Sequence, residues 1–216
     1  MERKFTFTAG EYYHVYSRGV DRRLIFLDDV DREYFQKLLF LCNSTERFAI
    51  GSLPTGVSAY DVVRPDTLVD IGAYAEMPNH IHLLLHEKRD TGISKFLAKL
   101  LTAFAKYFNA KAERTGVLFE RPFRAKHVEE DAYMHYLHGY IHINPVKLIE
   151  PQWKENGIRN KDAAKDFLEK YRFSSYIDFV GANRKEKTIL NREVFPDYFT
   201  KPASFDQFIR ELLDNQ

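Results

Sequence analysis

Alternating polar and apolar positions rich in Tyr and Val run from Tyr12 to Ser17 and predict a first strand, closed by the turn-like Arg18-Gly19-Val20-Asp21. Tyr34, Phe35, Leu38, Leu39 and Leu41 then fall at helical spacing, with Asp28 or Asp29 placed to cap the helix and its end near Asn43. From Ser44 to Asp66 the pattern dissolves around Gly51, Pro54, Gly56 and Pro65, which predicts a loop or small hairpin inserted in the domain. Leu68 to Ala75 reads as a second strand and His80 to His86 as a third, joined at Met77-Pro78-Asn79.

Gly92 to Arg114 gives the clearest helix: Phe96, Leu97, Leu100, Leu101, Phe104 and Phe108 form one stripe, and Lys95, Lys99 and Lys106 line the opposite face. Val117 to Val128 is extended and basic, and Pro122 marks it as an edge strand or loop. Asp131 to Ile143 predicts a helix that Pro145 ends. Further helices are expected around Asp162 to Tyr171 and Phe205 to Leu213. This order, with a mainly antiparallel sheet and helices on one face, is an α+β fold of ferredoxin-like kind. We divide it into a domain over 1–150, with 44–66 inserted, and a C-terminal helical extension over 151–216 packed on it.

Composition narrows the picture only a little. The chain has 216 residues, enough for one well-buried core, and a formal net charge of +1, so a basic surface for nucleic acid has to be local. Thirteen Tyr and 18 Phe suit either a dense core or a surface that stacks bases. The single cysteine, Cys42, lies in an apolar run and excludes a disulfide framework. There is no apolar signal-like segment at the N-terminus and no run of membrane-spanning length, so we expect a cytoplasmic protein with no membrane partner.

Two segments carry candidate chemistry. In a strand His80 and His82 point to one face while Ile81, Leu83 and Leu85 point to the other, which makes half of a metal site, although two exposed strand histidines would look the same. Tyr140 and Asn144 are four apart and share a helix face. If that face lies over the histidine strand, two imidazoles, an amide oxygen and a phenol meet, a mixed N/O set that suits Mg2+ or Mn2+ held together with a phosphate. His142 points about 200° away from Tyr140 and reads as packing, and His86, about 13 Å along the strand from His82, stays outside the shell.

Four ordered blocks together resemble a known family: Tyr13-His14-Val15-Tyr16-Ser17-Arg18-Gly19, Ile25-Phe26-Leu27-Asp28-Asp29, Met77-Pro78-Asn79-His80-Ile81-His82-Leu83-Leu84, and Tyr140-Ile141-His142-Ile143-Asn144-Pro145-Val146-Lys147. The sequence is similar in these to the REP-associated tyrosine transposases, which belong with the single-tyrosine HUH transposases. Tyr171-Arg172-Phe173-Ser174-Ser175-Tyr176 resembles that family's aromatic-serine motif. The resemblance implies an HUH fold, a divalent metal on His80 and His82 with Asn144 as third ligand, and Tyr140 as nucleophile. It further implies a single-stranded or hairpin DNA substrate, cut so that the tyrosine keeps the 5′-phosphate.

For DNA contacts the candidates are Arg121, Arg124 and Lys126 with Phe119 and Phe123, then Arg18 with Arg22 and Arg23, then Lys95 and Lys99 of the lysine row. We expect Mg2+ or Mn2+ and no small-molecule cofactor, and favour a monomer while a dimer stays open. Two alternatives stay open: a domesticated hairpin-DNA-binding protein without turnover, and an unrelated metallohydrolase that activates water.

Overall fold

The computed structural model describes residues 6–48, 50–199 and 201–215. Four strands, β1 (Tyr12–Arg18), β2 (Asp70–Met77), β3 (His80–His86) and β4 (Arg124–His127), form one sheet in the order β2-β3-β1-β4, and every neighbouring pair is antiparallel. The helices are α1 (Asp29–Cys42), α2 (Gly92–Lys111), α3 (Asp131–Ile143), α4 (Trp153–Asn156), α5 (Lys161–Lys170), α6 (Tyr176–Phe179) and α7 (Pro202–Asp214). This is the ferredoxin-like strand order of the expected α+β fold.

Local chemistry explains the element ends. The Asp28 carboxylate accepts from the Asp31 amide and caps α1, satisfying one of the four amides a helix start leaves free. Beyond α1, the Asn43 side chain accepts from the Leu68 and Val69 amides and donates to the Val69 carbonyl. One buried amide therefore clamps the two ends of the 44–66 insertion together. Among its described residues the insertion forms short 3-10 turns at Ile50–Ser52 and Ala59–Asp61 rather than a hairpin.

One face of the sheet carries Val15, Ile81, Leu83 and Leu85, which pack with Phe35 and Leu39 of α1 and Phe96, Leu100 and Phe104 of α2 into the main core. The periodicity of both helices anticipated this face. The second face differs from the one-sided arrangement expected: Ala73, Ala75 and Leu84 make a flat apolar bed, and Met134, Leu137 and Ile141 of α3 lie on it. Small side chains on β2 are what let a helix approach so closely.

The C-terminal elements hold α3 from behind. Ile143 and Val146 share a cluster with Trp153, Leu168, Tyr176, Phe205, Ile209 and Leu213. At the crossing with α7, a Cβ on Gly139 would come within 2.4 Å of a Leu212 methyl and 2.9 Å of the Phe208 ring, so a side chain there would force both to move. The aromatic-serine segment covers the β2 edge: the Glu76 amide donates to the Phe173 carbonyl and the Ser175 amide to the Tyr74 carbonyl. His142 reaches the Ser175 hydroxyl at 2.7 Å, with its other ring nitrogen on the His138 carbonyl, so it is a packing histidine as read from the sequence. Cys42 is buried and unpaired, and burial pushes its thiol up to about 11.

Candidate active site

Strand register assembles the floor. Antiparallel partners share a sheet face, so Met77, His80 and Arg18 form one row, Ala75, His82, Tyr16 and Arg124 a second, and Leu84, His14 and Lys126 a third. All three rows face α3. From that helix Tyr140 places its ring edge-on, 5.8 Å from His82 and 6.0 Å from His14 between centroids. His80, His82, Tyr140 and Asn144 line one open cleft together with Arg18, Lys126, Lys147 and Lys154, and no carboxylate lines it among the described residues.

Each candidate ligand is oriented by a neighbour. His80 and His82 lie 5.0 Å apart between centroids. The His80 Nδ1 sits 2.7 Å from the Asn79 carboxamide oxygen, which fixes the proton on Nδ1 and leaves Nε2 with its lone pair. The His82 Nδ1 is 2.9 Å from the His14 Nε2. The Asn144 amide nitrogen donates to the Tyr140 carbonyl at 2.6 Å, and its oxygen has no hydrogen bond among the described residues. Partners of this kind hold metal-ligating side chains in their tautomer and orientation.

Electrostatics keep the imidazoles neutral. Burial, aided by the positive field of Lys126 and Lys154, lowers His14 to about 4. Burial with Arg18 and Lys147 nearby lowers His80 to about 4, and burial with His14 and His80 beside it holds His82 well below its ordinary value. Neutral imidazoles offer lone pairs at neutral pH. Among the described residues, no cluster of three or more His, Cys, Asp or Glu side chains is arranged to hold a metal. A cation here would rest on two imidazoles and one amide oxygen and leave positions for water and phosphate, a donor set that fits Mg2+ or Mn2+ better than a closed structural site.

The remaining sequence candidates divide between the two sides of the sheet. Arg18 and Lys126 line the cleft, and Arg124 lines an adjoining pocket with Tyr16 and Arg18. Arg121 lies beyond that, between the 116–123 segment and α2. Lys95 and Lys99 are not brought to the site: both belong to α2, on the layer behind the sheet. Lys99 donates to the Ser44 and Glu46 carbonyls, 2.6 Å from each, and pins the insertion. Phe119 is buried in the main core against Phe104 and is not a surface for bases.

Several cleft residues escaped the sequence reading. His14 had a signal, since alternation in β1 places it on one face with Tyr16 and Arg18, but the sequence assigned it no role. Lys154 had none: it arrives on α4, a single turn anchored by the buried Trp153, and its ammonium donates to the Tyr140 hydroxyl at 3.0 Å. Tyr133 and Tyr136 line the same cleft from α3.

This combination of fold and cleft accords with two comparisons. Residues 61–144 match the family model of the IS200-like transposases, a segment that contains His80, His82, Tyr140 and Asn144. The whole fold is similar to a solved REP-associated tyrosine transposase bound to a REP hairpin, with a TM-score of 0.50 and 13% identity over 92% of this chain and 95% of that one. That segment is therefore similar to the IS200-like transposases, and the fold is similar to that of a REP-associated tyrosine transposase. No curated protein matches the chain. No helix among the described residues is long and apolar enough to cross a membrane.

Proposed function

We propose that this protein is a metal-dependent transposase that nicks and rejoins single-stranded DNA at REP-like hairpins through a 5′-phosphotyrosine on Tyr140. The observation that carries this reading is the meeting of Tyr140, His80, His82 and Asn144 in one cleft whose only charged lining residues, among those described, are cations. A polyanionic strand is drawn to such a cleft.

In the reaction the Tyr140 oxygen attacks the scissile phosphorus, a P–O bond to tyrosine forms and the bond to the 3′-oxygen breaks. The 3′-oxygen leaves with that electron pair and takes up a proton, while the phenol gives its own proton to water in the open cleft. Because one phosphodiester is exchanged for another, a 3′-hydroxyl can later attack the phosphotyrosine and rejoin a strand without ATP. A divalent ion held by His80, His82 and Asn144 would polarise the phosphoryl oxygen and neutralise charge developing on it. The chain's own residues do the rest. Arg18, Lys126 and Lys147 bind the backbone, and the Lys154 ammonium stands against the negative charge on the tyrosyl oxygen.

The test is incubation with a labelled hairpin oligonucleotide and Mn2+. An adduct stable in SDS is expected with the wild type and not with Tyr140→Phe. An adduct undiminished in that variant removes Tyr140 from the role, and cleavage without any adduct points to the water-activating alternative.

A further inference from the structure

Tyr140 is the last of three tyrosines on one side of α3. Tyr136 stands one turn before it, with ring centroids 5.9 Å apart and planes tilted by 30°, and Tyr133 precedes that, 6.5 Å away at 28°. All three line the cleft. Tyr133 is fixed by Lys126, whose ammonium lies 3.8 Å from its ring centroid. Tyr136 is 43% exposed, although neighbouring Leu137 and Met134 are buried against the sheet.

An exposed aromatic ring between a fixed neighbour and the nucleophile, inside a cleft of cations, has the makings of a stacking surface. We propose that Tyr136, braced by Tyr133 and Lys126, stacks the unpaired base next to the phosphate that Tyr140 attacks. The inference rests on the reading of this cleft as a single-strand DNA site. One helical turn rises about 5.4 Å. Neighbouring nucleotides of a strand step by about 3.4 Å when stacked and by more when extended. A strand whose phosphate sits at Tyr140 thus carries an adjoining base to Tyr136. Every base presents a π-face, so the contact fixes which phosphate is presented rather than which sequence is bound. Lys126 is well placed to hold the phosphate on the far side of that base.

The experiment scans a DNA hairpin with an unpaired flank, placing one abasic site or one 2-aminopurine at each flank position. With wild-type protein, one position is expected to lose about 5- to 150-fold in affinity when abasic, the range for stacking on a single aromatic ring, and to show quenched 2-aminopurine fluorescence. Tyr136→Phe should keep both effects. Tyr136→Leu, which keeps apolar volume without a π-face, and Tyr136→Ala should bind the intact hairpin as weakly as the abasic one and lose the quenching. A flank position that costs the leucine and alanine variants as much as wild type overturns the proposal, as does a flank with no sensitive position. Adduct formation at Tyr140, scored in parallel, keeps the two readings apart. A wild type without adduct but with the Tyr136-dependent position sinks the nucleophile alone, whereas a hairpin that does not bind sinks both.

Discussion

The His14 Nε2 and His82 Nδ1 share a hydrogen bond of 2.9 Å in the floor of the cleft. One proton occupies that line. When His82 holds it, the His82 Nε2 keeps its lone pair and can accept a cation; when His14 holds it, His82 carries its proton on Nε2 and is closed to metal. On the function proposed above, His14 would be the acceptor that holds His82 in the tautomer able to take a cation. His14→Phe keeps a ring in the site and removes that acceptor. We expect Mn2+ affinity to fall about 10- to 100-fold by calorimetry, with the circular dichroism spectrum unchanged. Equal affinity in the variant would reduce His14 to packing.

Lys154 supplies a second prediction. Its ammonium donates to the Tyr140 hydroxyl at 3.0 Å and also lies 4.5 Å from the ring centroid. On the proposed reaction, this ammonium faces the oxygen that leaves when a phosphotyrosine is resolved. Lys154→Ala is expected to slow adduct formation and rejoining by about 10-fold or more, roughly 1.4 kcal/mol of barrier, while hairpin affinity falls only by the loss of one phosphate contact. Lys154→Arg should recover most of the rate. A single-turnover assay at saturating protein separates the two effects, and an alanine variant at wild-type rate would contradict the assignment.

How much of this was legible in the chain follows from range. The β3 boundaries and the α3 boundaries are those the sequence predicts, because alternation in His80 to His86 and the Pro145 stop are local properties. The facing of His80, His82, Tyr140 and Asn144 needed one further fact, that α3 lies on the bed of Ala73, Ala75 and Leu84 rather than on the far face. No local pattern states which side of a sheet a helix takes. For the same reason the lysine row of the long helix could be offered beside Lys126 as a DNA contact, yet the sheet separates Lys95 and Lys99 from the cleft. Lys154 was illegible because its helix is one turn long and exists through the burial of Trp153.

That separation gives a third prediction, read from salt. Each phosphate contact on single-stranded DNA contributes about 0.7 to the slope of log affinity against log salt. Arg18→Ala and Lys126→Ala should each lower the slope by about that amount, as they line the cleft. Lys95→Ala should leave slope and affinity unchanged, since Lys95 is exposed on the layer behind the sheet. A slope that drops equally for Lys95→Ala would mean that the strand wraps both faces.

Ser175 carries a fourth. Its hydroxyl accepts from the Tyr74 amide at 2.9 Å and meets the His142 Nε2 at 2.7 Å, all three groups being buried. Removing it strands a backbone amide on the β2 edge and an imidazole nitrogen on α3, at about 1 to 3 kcal/mol for each buried group left without a partner. Ser175→Ala is expected to lower stability by about 2 kcal/mol or more in urea unfolding. The loosened edge should also slow adduct formation, because the same contact holds α3 against the sheet.

Acid stability tests the buried histidines of α3. His138 is held down to about 3 by burial, with Arg192 and His135 adding to the effect, and among the described residues neither of its ring nitrogens has a hydrogen-bond partner. Its folded-state value lies below the unfolded value near 6.5, so the unfolded chain takes up a proton that the folded one refuses. The proton-linked penalty vanishes well above pH 6.5. Stability is lost progressively as pH falls from there toward 3, by at most about 1.4 kcal/mol per pH unit. His138→Phe replaces the imidazole with a ring of similar size among Phe179, Phe195 and Phe199. Thermal melts of the variant should match wild type at pH 7.5 within a few degrees and exceed it increasingly between pH 6 and 4.5; parallel acid profiles would show that another group governs the loss.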